Sequence, residues 1–299
     1  MNVLAALIVR LAFIPWKHKK LNEILQFFCR IFLFPLFLCK RGGGRKDESK
    51  RMKHAIAFAS DFDNTLYFGA EKSGCRIEDR EEIRRFQSAG NLFGISTGRS
   101  LREIRHAAGD IPFDFYILTS GALVLDGDCQ LIAASEVSTE RLRQIYERYK
   151  ADTLSVIHAA GGVYTFAAGN AMQEHIDTFD SLSGMAVYGM SFHVWTPEAA
   201  AAMAEQINAW CGGEIRAFQN VANVDIVADG VSKGAALQCV KAHYGVAETA
   251  AIGDSYNDIP MLQAAAKSFT FFDSPLQVRL AASHIVGSVS EALTICGGQ

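Results

Sequence analysis

The stretch Asp61-Phe62-Asp63-Asn64-Thr65-Leu66 decides how this chain is read. It follows the apolar run Ala55-Ile56-Ala57-Phe58-Ala59, the texture of a strand buried on both faces in a parallel sheet. Two carboxylates therefore stand two residues apart where a strand ends and a loop begins. In open α/β sheets that is where ligands bind. One carboxylate can attack an electrophile there while its neighbour moves protons. Two plainer structures also fit. Asp and Asn close turns by bonding their own backbone, and alternate acidic residues can open a calcium loop. The calcium loop fails at its sixth position, Leu66, where that turn requires glycine.

Three later segments repeat the theme of a polar group at a strand end. Asn91-Leu92-Phe93-Gly94-Ile95-Ser96-Thr97 reads as a second buried strand, followed by Gly98-Arg99-Ser100 and a helical pattern. A hydroxyl ahead of a helix N-terminus suits an anion; helix capping by Thr97 or Ser100 is the plain alternative. Gly230-Val231-Ser232-Lys233-Gly234 leads into a helix with Ser232 as N-cap. Lys233 in the first turn opposes the helix dipole by roughly 0.3–1 kcal/mol. An anion in front of that helix would remove the conflict, and a solvent-exposed lysine would tolerate it. The apolar run 249–252 ends at Gly253-Asp254-Ser255-Tyr256-Asn257-Asp258, with Pro260 placed for the first turn of another helix. Asp258 can cap that helix and still offer an oxygen. Carboxylates gathered from two strand ends suit Mg²⁺, which takes few carboxylates and completes its shell with water and phosphate oxygen.

The 299 residues suffice for more than one domain. The net charge of −3 hides an asymmetry. Residues 1–53 hold 12 Lys/Arg against 3 Asp/Glu, a net of +9; the other 246 hold 17 against 29, a net of −12. The acidic body argues against nucleic acid as a partner. The seven cysteines are scattered, with no Cys-x-x-Cys pair and no zinc spacing among Cys and His. An odd, dispersed set fits reduced thiols, hence a cytoplasmic location.

The basic leader, 1–53, contains apolar runs at 3–16 and 24–39, broken by Arg10 and Arg30. Neither reaches the span of about 18 apolar residues expected of a membrane helix. Two readings stand level, residues upstream of a start at Met52 or a segment that lies in a membrane interface, with a spanning helix behind both. Contact with a membrane surface is expected only through residues 1–46. Between 127 and 222 strands and helices mix without strict alternation, the texture of an inserted α+β domain. The core is expected at 54–126 and 223–299, resuming on the strand Val224-Asp225-Ile226-Val227. His193, inside an inserted strand, reads as packing.

Asp61-x-Asp63-x-Thr65, Thr97-Gly98-Arg99, Lys233-Gly234 and Gly253-Asp254-x-x-Asn257-Asp258 stand in this order, with the insertion between the second and third. Together they resemble the haloacid-dehalogenase-like phosphatases of the Cof type, over about residues 54–295. The resemblance implies an α/β fold: a Rossmann-like parallel sheet core under an inserted α+β cap of type IIB. It implies a phosphoric monoester hydrolase for small phosphorylated metabolites, sugar phosphates foremost, with Mg²⁺ as cofactor and an aspartyl-phosphate intermediate. Asp61 would be the nucleophile and Asp63 the acid/base. Thr97, Gly98, Lys233 and Asn257 would hold the phosphoryl group. Asp61, the backbone carbonyl of Asp63, Asp254 and Asp258 would serve the metal. Two positions depart from the pattern: Asn64 replaces a glycine, and Ser120 replaces an asparagine. The alternatives are a phosphomutase and, behind it, a phosphoacceptor signalling domain, whose fold needs no inserted cap. The sequence sets neither the individual substrate nor an oligomeric state.

Overall fold

The computed structural model describes residues 56–69 and 74–298. The leader expected at 1–53 lies outside the described residues. Among the described residues no helix is long and apolar enough to cross a membrane.

The described chain opens with β1 (Ile56–Ser60), then α1 (Ile77–Ser88), β2 (Leu92–Ser96), α2 (Leu101–Ala107) and β3 (Phe115–Leu118). These three strands run parallel, with β2 between β1 and β3. After a 3₁₀ turn at Thr119–Gly121, β4 (Leu123–Asp126) and β5 (Leu131–Ala134) extend the same sheet in antiparallel fashion. The cap follows: α3 (Thr139–Tyr149), β6 (Leu154–Ala159), β7 (Gly162–Thr165), β8 (Glu174–His175), β9 (Val187–His193), α4 (Pro197–Cys211), β10 (Ile215–Asn220) and β11 (Asn223–Ala228). Its strands form a six-stranded sheet in the order β10-β11-β9-β6-β7-β8. The chain then returns to the core through α5 (Lys233–Tyr244), β12 (Glu248–Ile252), α6 (Ile259–Ala264), β13 (Lys267–Phe271), α7 (Leu276–Ala281), β14 (His284–Val286) and α8 (Val289–Gly297). The core sheet reads β14-β13-β12-β1-β2-β3-β4-β5.

The sheets divide the chain at different residues from the expected 127 and 222. Leu131–Ala134 pairs with β4 and belongs to the core sheet. Asn223–Ala228, expected as a core strand, pairs with β9 and β10 and belongs to the cap. An apolar alternation fixes that a segment is a strand, but it does not say which sheet receives it.

Alternation in β1 sets up the two core layers. Phe58 stacks between Phe93 and Phe269, centroids 5.8 and 6.0 Å away, and joins Ile83 and Phe86 of α1 and Leu293 of α8. Ala57 and Ala59 face the other way, towards Leu237 and Val240 of α5. Gly94 is required by contact, since a Cβ there would lie 2.4 Å from the Phe115 ring. Gly234 is required likewise: a Cβ would meet the Pro260 carbonyl at 2.2 Å. Its absence lets α5 and α6 approach closely and sets Lys233 against the end of β12.

Candidate functional site

β1 and β12 are neighbours, so the loops that follow them emerge side by side. The Asp61 amide donates to the Ile252 carbonyl at 2.9 Å, which continues the ladder one residue past β1. Beyond it the chain turns tightly: Leu66 and Tyr67 amides both donate to the Phe62 carbonyl, and Asn64 sits at φ 60°. Asparagine tolerates that left-handed conformation, which accounts for its place where glycine was expected. Phe62 is buried and stacks on Tyr67 at 5.0 Å. The turn thereby fixes Asp61 and Asp63 on one rim.

Lys233 joins the two strand ends. Its Nζ donates to Asp61 Oδ1 and to Asp258 Oδ1, each at 2.6 Å, and its side chain is only 1% exposed. These two carboxylates are the anion that the dipole argument asked for in front of α5. Ser232 caps the same helix by accepting from the Ala235 amide at 3.1 Å. Asp258 Oδ2 accepts from the amides of Asp254 and Ser255, 3.1 and 3.0 Å, closing the loop after β12. Thr65 Oγ1 donates to Asp254 Oδ1 at 2.8 Å, so the first loop orients a carboxylate of the second.

One carboxylate oxygen each from Asp61, Asp254 and Asp258 lies within 4.8 Å of the others. Burial, and the crowding of acids around one lysine, perturb Asp61, Asp254 and Lys233. Burial, then Asp258, raises the Asp61 carboxyl well above the usual range, with Lys233 pulling the other way. Burial, then Asp258, pushes Asp254 up to about 6. Burial disfavours the Lys233 charge, but Asp258 and Asp61 outweigh it and raise its pKa. The donor set is all oxygen, which matches a hard cation such as Mg²⁺ rather than a soft one. Asp61 and Asp254 fit that duty. Asp258 already has both oxygens engaged by Lys233 and the two amides.

The second strand end supplies the hydroxyl. Thr97 is buried, and its Oγ1 accepts from the Arg99 amide at 3.1 Å. Ser100 caps α2, and Glu103 answers from N3 in a reciprocal pair. Ser100 is thus the cap, and Thr97 is left to face the site. Arg99 grips Asp63 with two hydrogen bonds, a contact the sequence did not announce. A cavity of about 590 Å³ opens over this floor, lined by Asp61, Asp63, Thr97, Gly98, Arg99 and Asp254 among others. Lys233, Asn257 and Asp258 lie behind that wall; Asn257 is buried.

The cap forms the roof. Asp225 of β11 reaches down to the core: its Oδ2 accepts from Ser120 Oγ at 2.7 Å, and a Cβ on Gly98 would sit 2.8 Å from the same oxygen. This answers the departure at Ser120, which stands at φ 51° and ties core to cap. His193, expected as packing, lines the cavity instead, with Nδ1 at 3.0 Å from Asn223 Oδ1. His158 lines it too, and no feature of the sequence singled it out. Position on one face of a cap strand, two residues from Val156, was the only available signal.

Residues 58–293 match the profile of the haloacid dehalogenase-like hydrolases, and the chain belongs to that family. A haloacid dehalogenase-like hydrolase from B. subtilis shares the fold at TM-score 0.71 and 18% identity, covering 81% of this chain and 98% of that one. The sugar phosphatase BT4131 of HAD subclass IIB does so at TM-score 0.68 and 20% identity, covering 81% and 99%. The phosphatase BT1666 from Bacteroides thetaiotaomicron gives 0.68 and 20%, covering 85% and 99%. No curated protein matches the sequence.

Proposed function

We propose that this hydrolase is a Mg²⁺-dependent phosphatase of small phosphorylated metabolites, sugar phosphates foremost, working through an aspartyl-phosphate on Asp61. The observation that carries the reading is the placing of Asp61. It is a buried carboxylate on a strand end, at the floor of a cavity, beside a lysine and within reach of a second acid at the rim.

An Asp61 oxygen attacks phosphorus as the bond to the leaving oxygen breaks. Asp63 gives its proton to that oxygen, so the leaving group departs as an alcohol. Asp63 then takes a proton from water as the water oxygen attacks phosphorus, which releases inorganic phosphate and restores Asp61. Thr97, the backbone at Gly98 and, from behind, Lys233 supply donors and charge for the phosphoryl oxygens, with Asn257 supporting the loop. Such transfer is mostly positioning and charge stabilisation. Asp61, the Asp63 carbonyl and Asp254 would hold Mg²⁺, which offsets the repulsion between carboxylate and phosphate; Asp258 steadies that arrangement. Cys75, Cys129, Cys211 and Cys296 are free thiols, in keeping with a reducing cytoplasm.

The test is turnover of a panel of phosphorylated metabolites by the purified chain, with Mg²⁺ or excess chelator, and mass spectrometry of the quenched enzyme. Release of phosphate only with metal, and a phosphoryl group on Asp61, are expected. A long-lived phosphorylated chain without phosphate release would mean a signal receiver. Retention of the group with a bisphosphate activator would mean a mutase.

A further inference from the structure

The cap sheet turns a polar face to the cavity. Residues two apart on a strand share a face. Val156 and His158 on β6, Ser191 and His193 on β9, and Asn223 and Asp225 on β11 form one such face in register. The intervening residues Ile157, Met190, Phe192, Val224 and Ile226 are buried in the cap's own core. Nearly all polar groups on this face are held by protein. Asp225 accepts from Ser120, Ser191 and Asn220, and His193 meets Asn223.

His158 differs. Its side chain is 95% or so enclosed, at 5% relative exposure. Its Nδ1 is enclosed by protein with no partner; its Nε2, the ring nitrogen that is not enclosed, takes no hydrogen bond from a described residue and is the atom open to a ligand. A buried polar group left unpaired is destabilising and calls for an explanation. Burial lowers its pKa, against the pull of Glu103 and Asp225, so the imidazole is neutral near pH 7. A neutral imidazole offers one donor and one acceptor, the complement of a hydroxyl. The cap's share of the wall, moreover, includes Asp225 but neither Lys nor Arg. A second phosphate or a carboxylate on the leaving group would be enclosed there without a countercharge.

We propose that His158 is a specificity-determining residue of the cap, hydrogen-bonding a hydroxyl of an uncharged leaving group. This rests on the phosphatase reading above. The parent is compared with His158→Phe, which keeps a ring and removes its polar atoms, and with His158→Gln, which keeps a donor and an acceptor. The probes are p-nitrophenyl phosphate, glucose 6-phosphate, ribose 5-phosphate, sorbitol 6-phosphate, fructose 6-phosphate and fructose 1,6-bisphosphate. For the best hydroxylated probe, His158→Phe should lower kcat/KM by about tenfold, as expected of one neutral hydrogen bond, chiefly through KM. His158→Gln should restore part of the loss. Nitrophenyl phosphate should change by less than about twofold, and the parent should prefer fructose 6-phosphate to the bisphosphate. Should His158→Phe fail to fold, His158→Leu takes its place. Equal losses on all probes, or none on the hydroxylated ones, would overturn the proposal while leaving the phosphatase reading intact. A parent that turns over none of these esters, nitrophenyl phosphate included, would overturn both.

Discussion

Arg99 holds both carboxylate oxygens of Asp63, with Nε 2.8 Å from Oδ2 and Nη2 2.6 Å from Oδ1. Its guanidinium also lies over the Phe62 and Tyr67 rings, 5.3 and 5.8 Å from their centroids. A carboxylate gripped at both oxygens cannot hand on a proton, so the pair must part before Asp63 acts. A phosphate dianion entering the cavity competes for the same guanidinium. The pair is partly exposed, with side chains 33% and 45% accessible. Its contribution to stability is therefore small, about 0–1 kcal/mol. Arg99→Ala is expected to melt within about 4 °C of the parent yet to raise KM for phosphate esters. A large fall in melting temperature with unchanged KM would make Arg99 a structural strut instead.

Asp61 and Asp63 are the same residue type with separate expected roles. Asp61→Asn should abolish turnover of every ester. Because burial and Asp258 disfavour the Asp61 charge, the same variant should melt no lower than the parent in chelator. Asp63→Asn removes a proton donor, a loss of roughly 10²–10⁴-fold. That loss should be large for a sugar phosphate and small for nitrophenyl phosphate, whose phenolate leaves without a proton. Single-turnover kinetics on both esters decides: a phosphoryl burst in Asp61→Asn, absent in Asp63→Asn, would reverse the assignment.

Protonation and metal binding are linked through Asp254. Its carboxyl is pushed up to about 6 by burial and by Asp258, above an ordinary value of about 3.9. A carboxyl raised in the folded state contributes stability that is complete below the unfolded pKa and is lost as pH rises through the folded one. In chelator, this group should thus stabilise the protein at about pH 4 relative to about pH 7. Mg²⁺ must displace that proton below about pH 6. The rise in melting temperature on adding Mg²⁺ should therefore shrink between about pH 7.5 and pH 5. A rise that grows instead would show that Asp254 is not a metal ligand.

Gly98 has no room for a side chain. A Cβ would press at 2.8 Å on Asp225 Oδ2, an oxygen already fixed by Ser120 and Asn220. The fixed carboxylate cannot yield, so Gly98→Ala should lift the cap from the core. The expected result is faster proteolysis between the two sheets and at least about tenfold lower turnover of a sugar phosphate. Unchanged turnover and protection would mean that Asp225 moves freely.

The core was legible because its signals are local. An apolar run followed by Asp61 and Asp63, or by Asp254 and Asp258, carries its strand and its chemistry within ten residues. The contacts that make these acids one site are not local. Lys233 meets Asp61 across the whole cap, and its place depends on Gly234 passing the Pro260 carbonyl. The sequence led to Lys233 through its conflict with a helix dipole and through the Lys233-Gly234 motif, but not to its contact with Asp61. The cap was legible as a texture but not as a surface. The strand holding Asp225 was assigned to the core because its alternation suits either sheet. His158 and His193 could not be turned towards the cavity without knowing which face of β6 and β9 the cap helices cover.

The division of the core sheet around the cap also bears on how the chain folds. β1 lies between β2, which follows it closely, and β12, which follows only after the entire cap. Pairings so distant in sequence are slow to form. The cap is continuous in sequence and closes its own apolar cluster, so it can assemble while the edge of β1 still waits for β12. A chain halted between the two would expose a buried, apolar strand along an open edge, an arrangement prone to aggregation. Refolding should accordingly proceed in two phases, with the strands of the core completing the slower one.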